Sequence, residues 1–128
     1  MENLFIAATA TSPEIDLRFD ENVLSLRGES YPENAAAFYA PVIERLNLWL
    51  KDCENAAITV EVTLTYFNSS STKMLFSVFD ALDRAAAAGN QVQVNWYRDE
   101  EDETILEFGE ELQTDFTAIR FNDCPVAT

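Results

Sequence analysis

Ser69, Ser70, Ser71 and Thr72 form an unbroken run of hydroxyl side chains, with Asn68 before it and Lys73 after it. Hydroxyls of this kind can cap a helix, and each can also accept a phosphoryl group. Their surroundings bear on both roles. Upstream, Ile58, Val60, Val62, Leu64 and Tyr66 alternate with Thr59, Glu61, Thr63 and Thr65, the period of a half-buried strand. Downstream, Leu75, Val78, Phe79, Leu82, Ala85 and Ala86 recur at helical spacing, which predicts a helix over about Ser71–Ala88. The hydroxyls therefore lie where a strand gives way to a helix. The free N–H groups and the positive dipole end of a helix N-terminus can hold a phosphate. Capping alone needs one oxygen, so a run of hydroxyls points to a phosphorylation switch, with simple capping as the competing explanation.

Composition narrows the classes. The chain has 128 residues, 48% hydrophobic and 12% aromatic, enough for one domain with a real core. Its net charge of −15 opposes nucleic acid and anionic membranes and favours a partner with a basic surface. There is no histidine, which excludes His-based triads and His phosphorelay. Cys53 and Cys124 lie far apart without zinc-like spacing, so no metal site and no cofactor is expected. A disulfide between them stays open, although nothing argues for secretion. No stretch reaches the roughly 20 apolar residues of a membrane span. The apolar run Leu4–Ala8 has no basic residue before it and reads as an early strand or a loose arm over residues 1–12, not a signal peptide. The expectation is a soluble cytoplasmic protein.

The remaining elements follow from periodicity and punctuation. Glu14–Phe19 and Val23–Arg27 read as strands joined at Asp20-Glu21-Asn22. Ser30 with Glu33 has the form of a capping box for a helix of about Glu33–Asp52. Gly89-Asn90 stops the second helix, and Gln91–Tyr97 alternates as a strand. An acidic loop leads into a helix of about Glu103–Gln113, and Phe116–Phe121 reads as a final strand. Both central strands have one apolar face, which predicts an α/β domain with a mixed sheet and helices mainly on one side. The unit from Ile58 to Tyr97 should be parallel and right-handed.

A strand, a hydroxyl turn at a helix start, a helix and a further strand resemble the signature region of the STAS fold of anti-sigma-factor antagonists. Their turn reads Asp-Ser-Ser/Thr-Gly; here Asn68 stands for the Asp and Ser71 for the Gly. Two phrases, Gly28-Glu29-Ser30-Tyr31-Pro32-Glu33-Asn34 and Tyr66 through Lys73, more closely resemble the SiaC-type biofilm-regulation phosphoproteins, a STAS-like family, over nearly the whole chain. That resemblance implies a non-enzymatic partner switch in bacterial signal transduction. It implies phosphorylation at Ser69 by a cognate Ser/Thr protein kinase and reversal by a PP2C-type phosphatase. It also implies binding to a diguanylate cyclase, and hence cyclic di-GMP control, in the unphosphorylated state. Ser70, Ser71 and Thr72 remain alternative acceptors.

Around such a site, Tyr31, Glu33, Phe67, Asn68, Ser70, Lys73 and Phe76 are the expected partner-binding residues. Lys73, one helical turn on from Ser69, can pair with a phosphate. Phe76 falls off the core stripe beside Lys73, Ser77 and Asp80, and a second register would bury it. The competing functions are an anti-sigma-factor-antagonist-like or constitutive interaction module without phosphorylation, and a carboxylate enzyme using Glu29, Glu33 or the loop around Asp102. Three glycines without a Gly-rich loop argue against nucleotide binding.

Overall fold

The computed structural model describes residues 1–127. Its elements are β1 (Leu4–Ile6), β2 (Glu14–Arg18), β3 (Val23–Ser30), α1 (Ala35–Lys51), β4 (Ala57–Phe67), α2 (Ser69–Ala87), β5 (Gln91–Asp99), α3 (Glu103–Asp115) and β6 (Arg120–Val126). One sheet carries the strands in the order β1-β2-β3-β4-β5-β6. The pairs β1/β2 and β2/β3 are antiparallel, and β3/β4, β4/β5 and β5/β6 are parallel. The mixed sheet and the parallel β4-α2-β5 unit are as the alternation predicts.

Burial alternates along the central strands, so one sheet face is covered and the other is open. Leu24, Leu26, Ile58, Val60, Val62, Leu64, Val92, Val94 and Trp96 lie in the core with Tyr39, Leu46, Leu75, Phe79 and Leu112 from the helices. The open face is polar: Asn95 donates to Glu61 at 3.1 Å and accepts from Gln93 at 2.9 Å. The Glu61 carboxylate beside it raises the Tyr97 phenol above its usual range.

Residues Leu4–Ile6 form an edge strand on β2, the early-strand reading of the two left open by the sequence. Three sequence expectations need correction. The Ser30–Glu33 capping box does not form: β3 runs through Ser30, and Asn34 caps α1 by accepting from the Ala37 N–H at 3.0 Å. A parallel β3 held by β4 keeps Ser30 extended, and Asn34 is an equally good cap four residues on. Helix α2 begins at Ser69 instead of Ser71. The final strand is Arg120–Val126, not Phe116–Phe121. It is an edge strand, where Pro125 is tolerated and apolar alternation is not demanded, so its sequence carries little strand signal.

A fourth difference shapes the site. Gly28 pairs with Leu64 but Glu29 pairs with Tyr66, so β4 carries one extra residue, Thr65, at a bulge. A bulge shifts the side-chain phase by one. Beyond it, Phe67 turns toward the core and Tyr66 turns out to 51% exposure, the reverse of the unbroken alternation.

Candidate phosphorylation and partner-binding turn

The turn is built on a cap. Asn68 leaves β4 in an extended conformation, and its side chain accepts from the Ser71 N–H at 2.9 Å. Its own N–H donates to the Ser30 carbonyl at 3.0 Å, which fixes the turn to the end of β3. The Thr72 hydroxyl is engaged as well, donating to the Asn68 carbonyl at 3.1 Å. Asn68 thus supplies the capping that the sequence left to the whole hydroxyl run.

The hydroxyls then separate by environment. Ser69 and Ser70, the first two residues of α2, are exposed. Ser71 has 0% exposure and lies in a buried chain of hydroxyls. Tyr39 of α1 stands 2.6 Å from the Ser30 oxygen, and Ser30 donates to Ser71 at 2.8 Å. With Ser30 donating onward, the Tyr39 hydroxyl is the donor to Ser30. Burial pushes the Tyr39 phenol up. This chain ties β3, α1 and the first turn of α2 together. Each buried link contributes about 1 kcal/mol net, and leaving a member unpaired costs more.

The turn carries positive electrostatic features. Ser69 and Ser70 carry the free backbone N–H groups of a helix N-terminus. Lys73 follows Ser69 by one helical turn, is exposed, and makes no ion pair among the described residues. Four of the arginines, by contrast, are held by carboxylates: Arg18, Arg27, Arg84 and Arg98.

The expected aromatic anchors are placed differently. Phe67 and Phe76 both pack on Phe108 of α3, with ring centroids 4.6 and 5.4 Å away, and Phe76 also meets Phe116 at 5.9 Å. Phe76 keeps the register of the sequence reading, off the buried stripe of Leu75, Val78, Phe79 and Leu82, but α3 folds onto that flank of α2 and partly covers it. Tyr31 and Glu33 are exposed. Tyr31 meets Tyr66 edge to face, centroids 5.6 Å apart, and forms a shelf just before the hydroxyl run. Sequence reasoning missed Tyr66, because its alternation matches an inward position, and it missed Tyr39 and the buried role of Ser30. The one available signal was the strength of Asn34 as a cap, which frees Ser30 for another task.

Other chemistry is weak. Among the described residues no group of His, Cys, Asp or Glu could hold a metal ion. Cys53 and Cys124 are free, and burial pushes both thiols up, away from thiolate reactivity. Among the described residues no helix is long and apolar enough to cross a membrane.

Comparison with known proteins decides the family. Residues 6–126 match the model of the SiaC family of regulatory phosphoproteins. The chain belongs to this family. An uncharacterized protein of Pseudomonas aeruginosa (strain UCBPP-PA14) is 31% identical over 115 residues, covering 90% of each chain. The crystal structure of apo-SiaC from Pseudomonas aeruginosa is similar with a TM-score of 0.88 at 29% identity, over 97% of this chain and 99% of that one. A chain in the crystal structure of the Pseudomonas aeruginosa diguanylate cyclase SiaD with its activator SiaC gives a TM-score of 0.87. It is 30% identical, over 98% of this chain and 99% of that one.

Proposed function

We propose that this chain is a non-enzymatic cytoplasmic regulator that binds and activates a diguanylate cyclase while Ser69 is unmodified. A cognate Ser/Thr kinase phosphorylates Ser69 and ends the interaction, and a PP2C-type phosphatase restores it. The observation that carries this reading is the likeness, over 98% of the chain, to a component of the SiaD–SiaC complex. The geometry of the turn supports the choice of residue. A kinase needs an accessible hydroxyl, which Ser69 and Ser70 offer and the buried Ser71 does not. Lys73 lies within one helical turn of both, and the family resemblance favours Ser69, the residue after Asn68.

The switch works without refolding. A phosphate brings roughly −1.5 to −2 charges, which the helix N-terminus and Lys73 accept locally. The hydroxyl chain beneath it keeps the turn in place. A partner packed over a small polar surface then meets a bulky dianion, and desolvating that dianion against the interface costs binding.

The test combines phosphosite mass spectrometry on the protein from its own cells with binding of the cyclase from the same genome. Phosphate is expected on Ser69, with Ser69→Ala retaining the cyclase. Ser69→Asp should weaken binding by about 30-fold or more, roughly 2 kcal/mol, at unchanged melting temperature. Normal cyclase binding and activation by Ser69→Asp, with no phosphate found at the turn, would leave a constitutive interaction module instead.

A further inference from the structure

The turn is flanked by a groove that no step of the switch has used. It lies between the end of β4 and the start of α3. One part, of about 190 Å3, is lined by Thr65, Tyr66, Phe67, Asp102, Thr104 and Ile105. A second part, of about 350 Å3, shares Thr65, Asp102 and Ile105 and reaches Leu64, Tyr97 and Val126. The floor is largely apolar, and Tyr66 stands at one end of it at 51% exposure. An aromatic ring this exposed does no work for the core. Its edge-to-face contact with Tyr31 holds it in place, so little side-chain freedom remains to be lost on binding.

The rim states which occupant fits. Asp99, Glu101, Asp102 and Glu103 border the α3 end. The nearby cation, Arg98, is already committed: its guanidinium donates to Asp123 at 2.9 and 2.8 Å and to the carbonyls of Asp99 and Glu100. Glu101 and Glu103 are exposed and unpaired among the described residues. The groove thus joins an aromatic anchor and an apolar floor to an uncompensated negative rim, on a chain of net charge −15.

We propose that this groove docks a segment of the diguanylate cyclase that carries Lys or Arg beside an apolar side chain, with Tyr66 as the anchor on this side. The proposal rests on the cyclase reading above. The surface has two parts with separate duties. The acidic rim draws in the basic residues and raises the association rate, as charges at an interface edge do. The Tyr66 end, two residues before Asn68 and three before Ser69, makes the close contact that holds the complex, and it lies where a phosphate on Ser69 would intrude.

The division of labour gives a kinetic test on the full chain and the full-length cyclase from the same genome, by surface plasmon resonance at low and high salt. Tyr66→Ala is expected to raise the dissociation rate about tenfold, with Tyr66→Phe restoring most of the loss. The double variant Glu101→Lys/Glu103→Lys should slow association several-fold at low salt and match the wild type at high salt, with dissociation unchanged. Thermal melts of all variants check that each is folded. If the wild type binds and every variant stays within twofold at both salt concentrations, the groove proposal is overturned while the cyclase reading stands. If the wild type does not bind the cyclase at all, the functional reading fails and the groove proposal fails with it.

Discussion

Helices α1 and α2 start in the same way at the ends of neighbouring parallel strands, and they differ in the residues that follow the cap. Each is capped by an asparagine, Asn34 or Asn68, whose side chain accepts the N–H of the third helical residue at 3.0 or 2.9 Å. After Asn34 come Ala35, Ala36 and Ala37; after Asn68 come Ser69, Ser70 and Ser71. Alanine in the first turn gives a sound helix start, so serines are not required there for folding. What the second helix adds is an exposed pair of hydroxyls on top and one buried hydroxyl beneath. The buried one joins Ser30 and Tyr39. The exposed pair is open to solvent, where the proposed kinase could reach it.

The comparison can be broken at three places. The largest effect is expected at the buried serine. Ser71→Asp places a carboxylate at a site of 0% exposure, and we expect a loss of about 3 kcal/mol or more in urea unfolding. Ser69→Asp, two residues away, should leave stability within about 0.5 kcal/mol, since an acid suits a helix N-terminus. Equal losses at the two positions would show that the run is not divided as described.

The next effect belongs to the chain beneath the turn. Tyr39→Phe removes the donor to Ser30 and should cost about 1 kcal/mol. It should also change the alkaline response. The Tyr39 phenol is raised above its ordinary value in the fold by burial, so it stays protonated while the unfolded chain ionises. Its stabilising contribution is full below pH 10 and is lost as pH rises through the folded value. Melting temperatures from pH 8 to 11 should therefore fall more steeply for the wild type than for Tyr39→Phe, and parallel curves would remove the argument.

The smallest effect sharpens the likeness of the two caps. Asn34→Ala and Asn68→Ala should each cost about 1 kcal/mol in chemical denaturation. Their consequences for phosphorylation should differ, because Asn68 alone orients the turn that presents Ser69. Kinase labelling altered by both substitutions alike would argue against a localised switch.

The central strands and the helices were legible in the sequence to within a few residues, since period and punctuation are local. The hydroxyl turn was legible for the same reason, as hydroxyls between a strand pattern and a helix pattern. The edges of the sheet were less so: β1 was one of two readings and β6 was placed too early, because each has one neighbour and a half-paired strand needs no strong apolar code. Ser30 was misread because a capping box and a strand end look alike until a neighbouring strand claims one of them.

By itself, then, the sequence determined an acidic α/β domain without histidine, an Asn-led hydroxyl run at a helix start, and a parallel strand–helix–strand unit around it. These follow from contacts among residues close in the chain. The tertiary structure decided which hydroxyls face solvent, because that depends on Tyr39 reaching Ser30 and Ser30 reaching Ser71, 41 residues apart. It also decided which aromatics face solvent. The extra residue at Thr65 turns Tyr66 out and Phe67 in, and α3 closes over Phe76. A bulge is a mismatch between two strands, and a covered helix flank is a meeting of two helices. Neither is a property of any one segment, so periodicity along one segment cannot report it.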